Sequence, residues 1–245
     1  MPDAALVGVD REPAWVAEAA VRAAAAGFGA RASYRAGDVF ALPFADATFD
    51  LVTCQTVLIH VADVPGALRE MMRVLRPGGC LLAAEPNNLS NAMCVGSARH
   101  HAPIDERIAL VRAQMTCERG KIALGEGDNS VGDLLPGLAA EAGLRDLRCW
   151  ISDRAMTLVP PYATRDQQAV RDDVFEQHGN GMFLWSREDT RRYFLAGGGG
   201  EEEFDRVWTL AGAAQATDVA ALRAGTFHSA GGGVQYVVAG RRPRA

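Results

Sequence analysis

The sequence predicts an α/β protein with a mostly parallel sheet covered on both faces, an antiparallel edge and a helical cap. Three observations predict it. Over the first 86 residues, short apolar runs alternate with stretches whose apolar side chains recur at helical spacing, the pattern of a parallel sheet between helix layers. Beyond Pro86 the alternation stops, and two moderately apolar helical stretches follow, residues 91–119 and 164–224. Two further strand-like runs, residues 147–151 and 232–241, suit the antiparallel edge of the sheet.

Taken in order, the first strand is read at residues 4–9 and ends on an acid, Asp10. Pro13 suits a first helical turn, Trp15, Val16, Ala19, Ala20 and Ala23 fall at helical spacing, and Gly27 and Gly29 supply a stop. A strand at 32–36, a loop at 37–48 and an apolar strand at 49–55 follow. Ala67, Leu68, Met71, Met72 and Leu75 share one helical face, Pro77-Gly78-Gly79 reads as a turn, and residues 80–85 as another strand. "HHAPIDE" breaks the first cap stretch and "AGGGGEEE" the second. Ser130 with Asp133 three residues on reads as a capping box, opening a helix that Gly143 closes. The sequence shows no repeat. It is read as a single domain over 1–245, with its core in 4–86, 130–152 and 232–241 and the cap in 91–119 and 164–224.

Composition excludes several function classes. With 25 basic against 30 acidic residues and a formal charge of −5, the chain lacks the basic balance by which polyanion binders release counterions, so nucleic acid is not an expected partner. No run of 18 apolar residues and no basic start with an apolar stretch is found, so no membrane association is expected and a cytoplasmic setting is. The five cysteines are scattered, without a C-x-x-C pair or a histidine at ligand spacing; they read as reduced, mostly buried small hydrophobes, and no metal site is expected.

Quoted together, "GVDREPAWVAEA", "YRAGDVFALPFADATFDLVTCQTVLIHVADVPGALREMMRVLRPGG" and "LLAAEPNN" closely resemble the class I S-adenosylmethionine-dependent methyltransferases, in particular the ubiquinone/menaquinone-biosynthesis-like small-molecule branch. The resemblance runs from Leu6 to about Pro86. It implies a Rossmann-like sheet, S-adenosylmethionine as cofactor and a small-molecule methyl acceptor. In the family an acid at the end of the second strand accepts both ribose hydroxyls, and a carboxylate's two oxygens suit a vicinal diol. Asp10 matches that acid, with Arg11 beside it; the alternative is a cap for the following helix. Asp38 matches the acid that accepts from the adenine amino group, and the Val39 N–H can donate to an adenine ring nitrogen; the alternative is an Asx turn.

Cys54, Gln55 and Thr56 end what corresponds to the family's fourth strand, where backbone contacts the methionine part of the cofactor. His60 either faces the acceptor or acts as its base, or is structural. Glu85, Asn87 and Asn88 end the next strand, as acceptor ligands or as ordinary turn residues. In the cap, Phe183, Leu184, Trp185, Tyr193 and Phe194 fall within twelve residues. They imply an apolar acceptor pocket with Trp185 at its wall, or simply bury the cap.

The family's first strand and its acidic, glycine-rich loop precede the unit that begins at Leu6, where five residues stand. The expectation is a sheet missing its first, central strand, with unpaired ladder groups that each cost about 1–3 kcal/mol. A misassigned start codon or a truncated gene accounts for it, or another chain supplies the strand, which makes a homodimer one expected assembly. Gly125 and Gly127 form the best G-x-G, but they follow a helical segment rather than a strand and fail as a cofactor loop. The expected function is methyl transfer from S-adenosylmethionine to a small acceptor, impaired for want of the loop. A non-catalytic remnant or interaction module is the alternative, and a nicotinamide dehydrogenase ranks third because its glycine fingerprint is equally absent. Displacement at a sulfonium needs positioning and at most one base, so no catalytic triad is expected.

Overall fold

The computed structural model describes residues 4–152, 155–183, 185–231 and 233–244. In chain order the elements are β1 (Leu6–Asp10), α1 (Pro13–Ala25), β2 (Ala32–Ala36), β3 (Phe49–Gln55), α2 (Val64–Val74), β4 (Leu75–Asn87), α3 (Asn88–Asn91) and α4 (Ile104–Ala123). There follow α5 (Leu135–Glu141), β5 (Arg145–Ile151), α6 (Arg165–Gly179), α7 (Arg187–Ala196), α8 (Glu201–Arg223) and β6 (Val234–Arg241). Short 3-10 turns stand at Leu58–His60, Ser97–Arg99 and Val131–Asp133.

The strands form two sheets. β1 and β2 pair in parallel, from Leu6 opposite Ala32 to Asp10 opposite Ala36. The larger sheet has the order β3-β4-β6-β5, with β3 parallel to β4 and β6 antiparallel to both β4 and β5. The two closing strands thus make the antiparallel edge that the sequence predicts, with the last strand on the inside.

Among the described residues β1 pairs only with β2, and β3 only with β4. Each therefore keeps one edge without a strand partner among the described residues. Apolar side chains stay in water on both sheets: Leu6 is 49% and Trp15 58% exposed on the two-stranded unit and its helix, and Leu51 of β3 is 40% exposed. A two-stranded sheet is marginal by itself, and residues 37–48 tie it to the rest. The Gly37 N–H donates to the Asp10 carbonyl at 3.0 Å, and Val39 and Leu42 pack against the main core. The Leu42 N–H donates to Glu70 at 2.7 Å, while Arg73 donates to the carbonyls of Leu42 and Phe44 and to Asp46.

The main core lies between α2 and the larger sheet. Val64, Ala67, Leu68, Met71 and Val74 recur on one face of α2 and are all buried. They meet Leu81 and Ala83 of β4, Leu135 and Ala139 of α5 and Val238 of β6. Full burial of each Leu or Met contributes about 1.5–3 kcal/mol. Asp63 caps α2 by accepting from the Gly66 N–H at 2.8 Å, with Pro65 in the first turn. At the other end Arg242 donates to the carbonyls of Met72, Arg73 and Leu75, satisfying acceptors that a helix terminus leaves open.

Three local expectations are corrected. Leu75, read on the helix, begins β4. Pro77-Gly78-Gly79, read as a turn, stays inside β4 as an irregularity of register between the partners of Phe49 and Leu51. Gly78 at φ +81° absorbs it. The Ser130–Asp133 capping box does not form, because the Ser130 hydroxyl donates to buried Glu118 at 2.7 Å and accepts from the Leu89 N–H at 3.0 Å. A 3-10 turn precedes α5 instead.

In the cap, α4 continues to Ala123, past the expected residue 119. It crosses α7 at backbone contact, where a Cβ on Gly120 would lie 1.7 Å from the Tyr193 carbonyl oxygen. All five cysteines are free; Cys117 is buried, but Cys94 and Cys149 are exposed, contrary to the expectation of mostly buried thiols.

Candidate functional site

Asp10 and Asp38 reach the same rim because β1 and β2 run in parallel and in register, so both strands end together. Both side chains are exposed. Asp10 Oδ1 accepts the Glu12 N–H at 2.8 Å and Asp38 Oδ1 accepts the Phe40 N–H at 2.8 Å. The turn roles weighed for these residues are thus present, and each carboxylate still has Oδ2 without a partner among the described residues. The Val39 N–H is also unpaired there, although its side chain packs on the core. Asp10 borders a groove of about 310 Å³ against α1, with Gly8, Trp15, Val16 and Tyr34.

Arg11 is exposed and ion-paired to Glu12 at 3.5 Å. Gln55 is exposed at the end of β3, and the next residue, Thr56, turns the chain at φ +56°. His60 closes the 3-10 turn that follows. Partial burial and the cations Lys121 and Arg11 hold its imidazole below the ordinary value, so it is neutral near pH 7.

Glu85, read as an acceptor ligand, has another task. It is fully buried, and its carboxylate accepts the N–H groups of Val57 and Leu58 at 3.0 Å each and that of Ile59 at 3.4 Å. Burial raises its ordinary value against the lowering by these amides. It therefore holds the turn that carries His60 and presents no oxygen to a ligand. The same carboxylate, with burial as the larger cause, pushes the Cys54 thiol far up, so Cys54 is no nucleophile. Lys121 holds the turn from the other side: it is buried and donates to the Ile59 carbonyl at 2.7 Å and to Asn129 Oδ1 at 3.3 Å. Gly127, at φ +90° and with room for no side chain against the Ile59 carbonyl, seats the loop there. Sequence reasoning tested this G-x-G only as a cofactor loop; its positive-φ glycine is a packing contact.

Asn87 is corrected in the same way. Its Oδ1 accepts the Ser90 N–H at 3.0 Å as the cap of α3, and its Nδ2 donates to Asp133 at 2.5 Å. Asn88 donates to the Asn129 carbonyl at 2.9 Å. Trp185 packs edge-on against Tyr193 with ring centroids 5.2 Å apart, in a cluster with Cys117, Phe194 and Phe204. It belongs to the internal packing of the cap, as do Tyr193 and Phe194; Leu184 lies outside the described residues.

Among the described residues no group of three or more side chains could hold a metal ion, and no helix is long and apolar enough to cross a membrane.

Residues 2–83 match a family described as methyltransferase domain. The demethylmenaquinone methyltransferase of Mycolicibacterium paratuberculosis is 45% identical over 89 residues, 36% of this chain and 39% of that protein. The ubiquinone/menaquinone biosynthesis C-methyltransferase UbiE of Dinoroseobacter shibae is 40% identical over 90 residues, 37% of this chain and 36% of that protein. The chain spans less than two-fifths of the length of these curated relatives. Among solved structures, the YcgJ protein from Bacillus subtilis is similar at 18% identity and a TM-score of 0.47, over 98% of this chain and 82% of that one. A geranyl diphosphate methyltransferase solved in complex with SAM gives 14% identity and a TM-score of 0.43 over 98% and 69%.

Proposed function

We propose, from the match of residues 2–83 to a family described as methyltransferase domain, that this chain binds S-adenosylmethionine at the rim of β1 and β2 and serves methyl transfer to a small-molecule acceptor. One observation carries the reading: within the matched segment, two exposed carboxylates, Asp10 and Asp38, end adjacent parallel strands, each with an open oxygen.

The residues fit the ribose and adenine parts of that cofactor. Asp10 accepts the ribose hydroxyls through Oδ2 and the spare lone pair of Oδ1. Asp38 accepts from the adenine amino group, and the unpaired Val39 N–H donates to a ring nitrogen. Arg11 follows Asp10 directly at that rim, and Gln55 at the end of β3 is the further candidate contact. Asp10, Asp38 and the Val39 N–H all address the nucleoside part of the cofactor. Bound there, S-adenosylmethionine supplies an electrophilic methyl group on a sulfonium. The chain's own contribution is positioning, plus a neutral His60, which can accept a proton from the acceptor only while it is unprotonated. Glu85 and Lys121 keep that imidazole in place through the backbone of the turn.

Calorimetric titration with S-adenosylmethionine tests the reading. Binding is expected, with Asp10→Ala losing more affinity than Asp38→Ala, because a diol gives two charge-assisted hydrogen bonds of about 1.5–3 kcal/mol each and the adenine keeps its backbone donor. Absence of binding at millimolar cofactor by a folded chain, or unchanged affinity in both variants, overturns it in favour of a module that keeps the fold without the cofactor.

A further inference from the structure

The cap helix α4 has two unlike faces. One packs on α7 at Cys117 and Gly120. The other carries Ile104, Ile108, Met115 and Ile122, exposed by 73%, 52%, 55% and 51%, at spacings of four, seven and seven residues. That is one stripe, about 27 Å long at 1.5 Å per residue. No described element covers it. It is not a convex surface either: Leu89 and Met93 on one side and Leu134 on the other make it a wall of an open groove of about 1150 Å³, at the upper end of small-molecule sites.

Three arginines and four acids line the groove, and they differ in how far they are engaged. Arg107 and Arg112 line it and make no ion pair or side-chain hydrogen bond among the described residues. The acids that line it are mostly engaged. Glu118 is buried, raised above the ordinary carboxylate value by that burial, and accepts from Ser130 and Gln114. Asp128 accepts the Ser130 N–H, and Asp133 accepts from Asn87. Glu203 stands in the first turn of α8, where the helix dipole favours an acid, at the Gly198–Gly199 end of the groove, near Arg119, whose guanidinium donates to the Gly197 carbonyl. Arg107 and Arg112 are thus the two arginines of the groove without a side-chain partner among the described residues, and they sit beside the apolar stripe.

We propose that this groove binds a single-chain amphiphile, its hydrocarbon chain laid along the α4 stripe and its anionic head, carboxylate or phosphate, held by Arg107 and Arg112. A chain suits the long, narrow apolar wall better than a compact ring system does. Two arginines without partners favour an anion over a neutral lipid, since guanidinium binds planar oxyanions in bidentate fashion. The site needs no cofactor and stands apart from the methyl-transfer reading, so either can fail alone.

The test is calorimetric titration of the folded chain with dodecanoate and with dodecyl phosphate, both below their micelle concentrations, at about pH 8 where the carboxylate is ionised. Saturable one-to-one binding is expected for both, and weaker binding for dodecanol. The surface variant Arg107→Gln/Arg112→Gln should lose about tenfold or more toward the anions and little toward dodecanol. Ile108→Asp should lose binding to all three, with its circular dichroism unchanged. Absence of monomer binding overturns the proposal. So does sedimentation with phosphatidylglycerol vesicles in place of monomer binding, which makes the stripe a membrane contact, or a dimer that Ile108→Asp dissociates without any ligand effect, which makes it a contact between copies.

Discussion

Replacing Glu85 by Ala should be among the most damaging single changes in this chain, because its buried carboxylate serves the backbone of a distant turn. The substitution removes the acceptor for three backbone N–H groups, at 3.0, 3.0 and 3.4 Å. Those of Leu58 and Ile59 are buried, while Val57 is half-buried and can find water. A buried donor left without a partner costs about 1–3 kcal/mol, and bonds to a charged group lie at the upper end. Counting Leu58 in full and the longer Ile59 contact at less, the loss is about 3–5 kcal/mol, a large part of the 5–15 kcal/mol typical of a domain. Glu85→Gln keeps one acceptor oxygen for Val57 and Leu58 and should lose only about 1–2 kcal/mol. Urea unfolding followed by far-ultraviolet circular dichroism measures both. An Ala variant within 1 kcal/mol of the parent, a margin of about one ordinary hydrogen bond, would refute the reasoning, since the cost of burying the carboxylate would then cancel what its hydrogen bonds contribute.

Four further outcomes follow from the same geometry. The His60 imidazole should titrate below the ordinary histidine value in NMR, and Arg11→Gln should move it upward by removing a cation; an unmoved titration would separate the end of β1 from the 3-10 turn. Glu70 is held below the usual carboxylate range, first by its hydrogen bond from Arg73, so its contribution is present above the unfolded value near 4.3 and lost as pH falls through the folded one. The stability difference between the parent and Glu70→Gln should accordingly be full at neutral pH and shrink below about pH 4. Gly120→Ala, ordinarily a gain inside a helix, should here cost at least about 1–3 kcal/mol in thermal unfolding, because the added carbon meets the Tyr193 backbone and not a movable side chain. A thiol reagent should label Cys94 and Cys149 fast and Cys117 only on unfolding; rapid labelling of Cys117 would mean that the α4–α7 contact opens freely.

Much of this protein is local and was legible as such. β2 and β3 occupy the predicted residues because each is a short stretch of strand-favouring residues bounded by turn signals, and α2 declares itself by the spacing of its buried face. Asp10 and Asp38 could be placed at strand ends for the same reason, since a strand's end is a property of its own neighbourhood. What only the tertiary structure decided depends on partners distant along the chain. Nothing near Glu85 announces that its carboxylate serves amides 26 to 28 residues earlier, or near Asn87 that Asp133 takes its amide. Ser130 has the spacing of a cap, yet its hydroxyl is taken up by distant groups, donating to Glu118 of α4 and accepting from the Leu89 N–H. Trp185 reads equally as a pocket wall and as core until Tyr193 and Phe204 are in place. The stripe on α4 is the limiting case: periodicity shows that one face of a helix is apolar, but whether that face meets a core or water is settled by how the neighbouring helices pack, and here they pack against the other side.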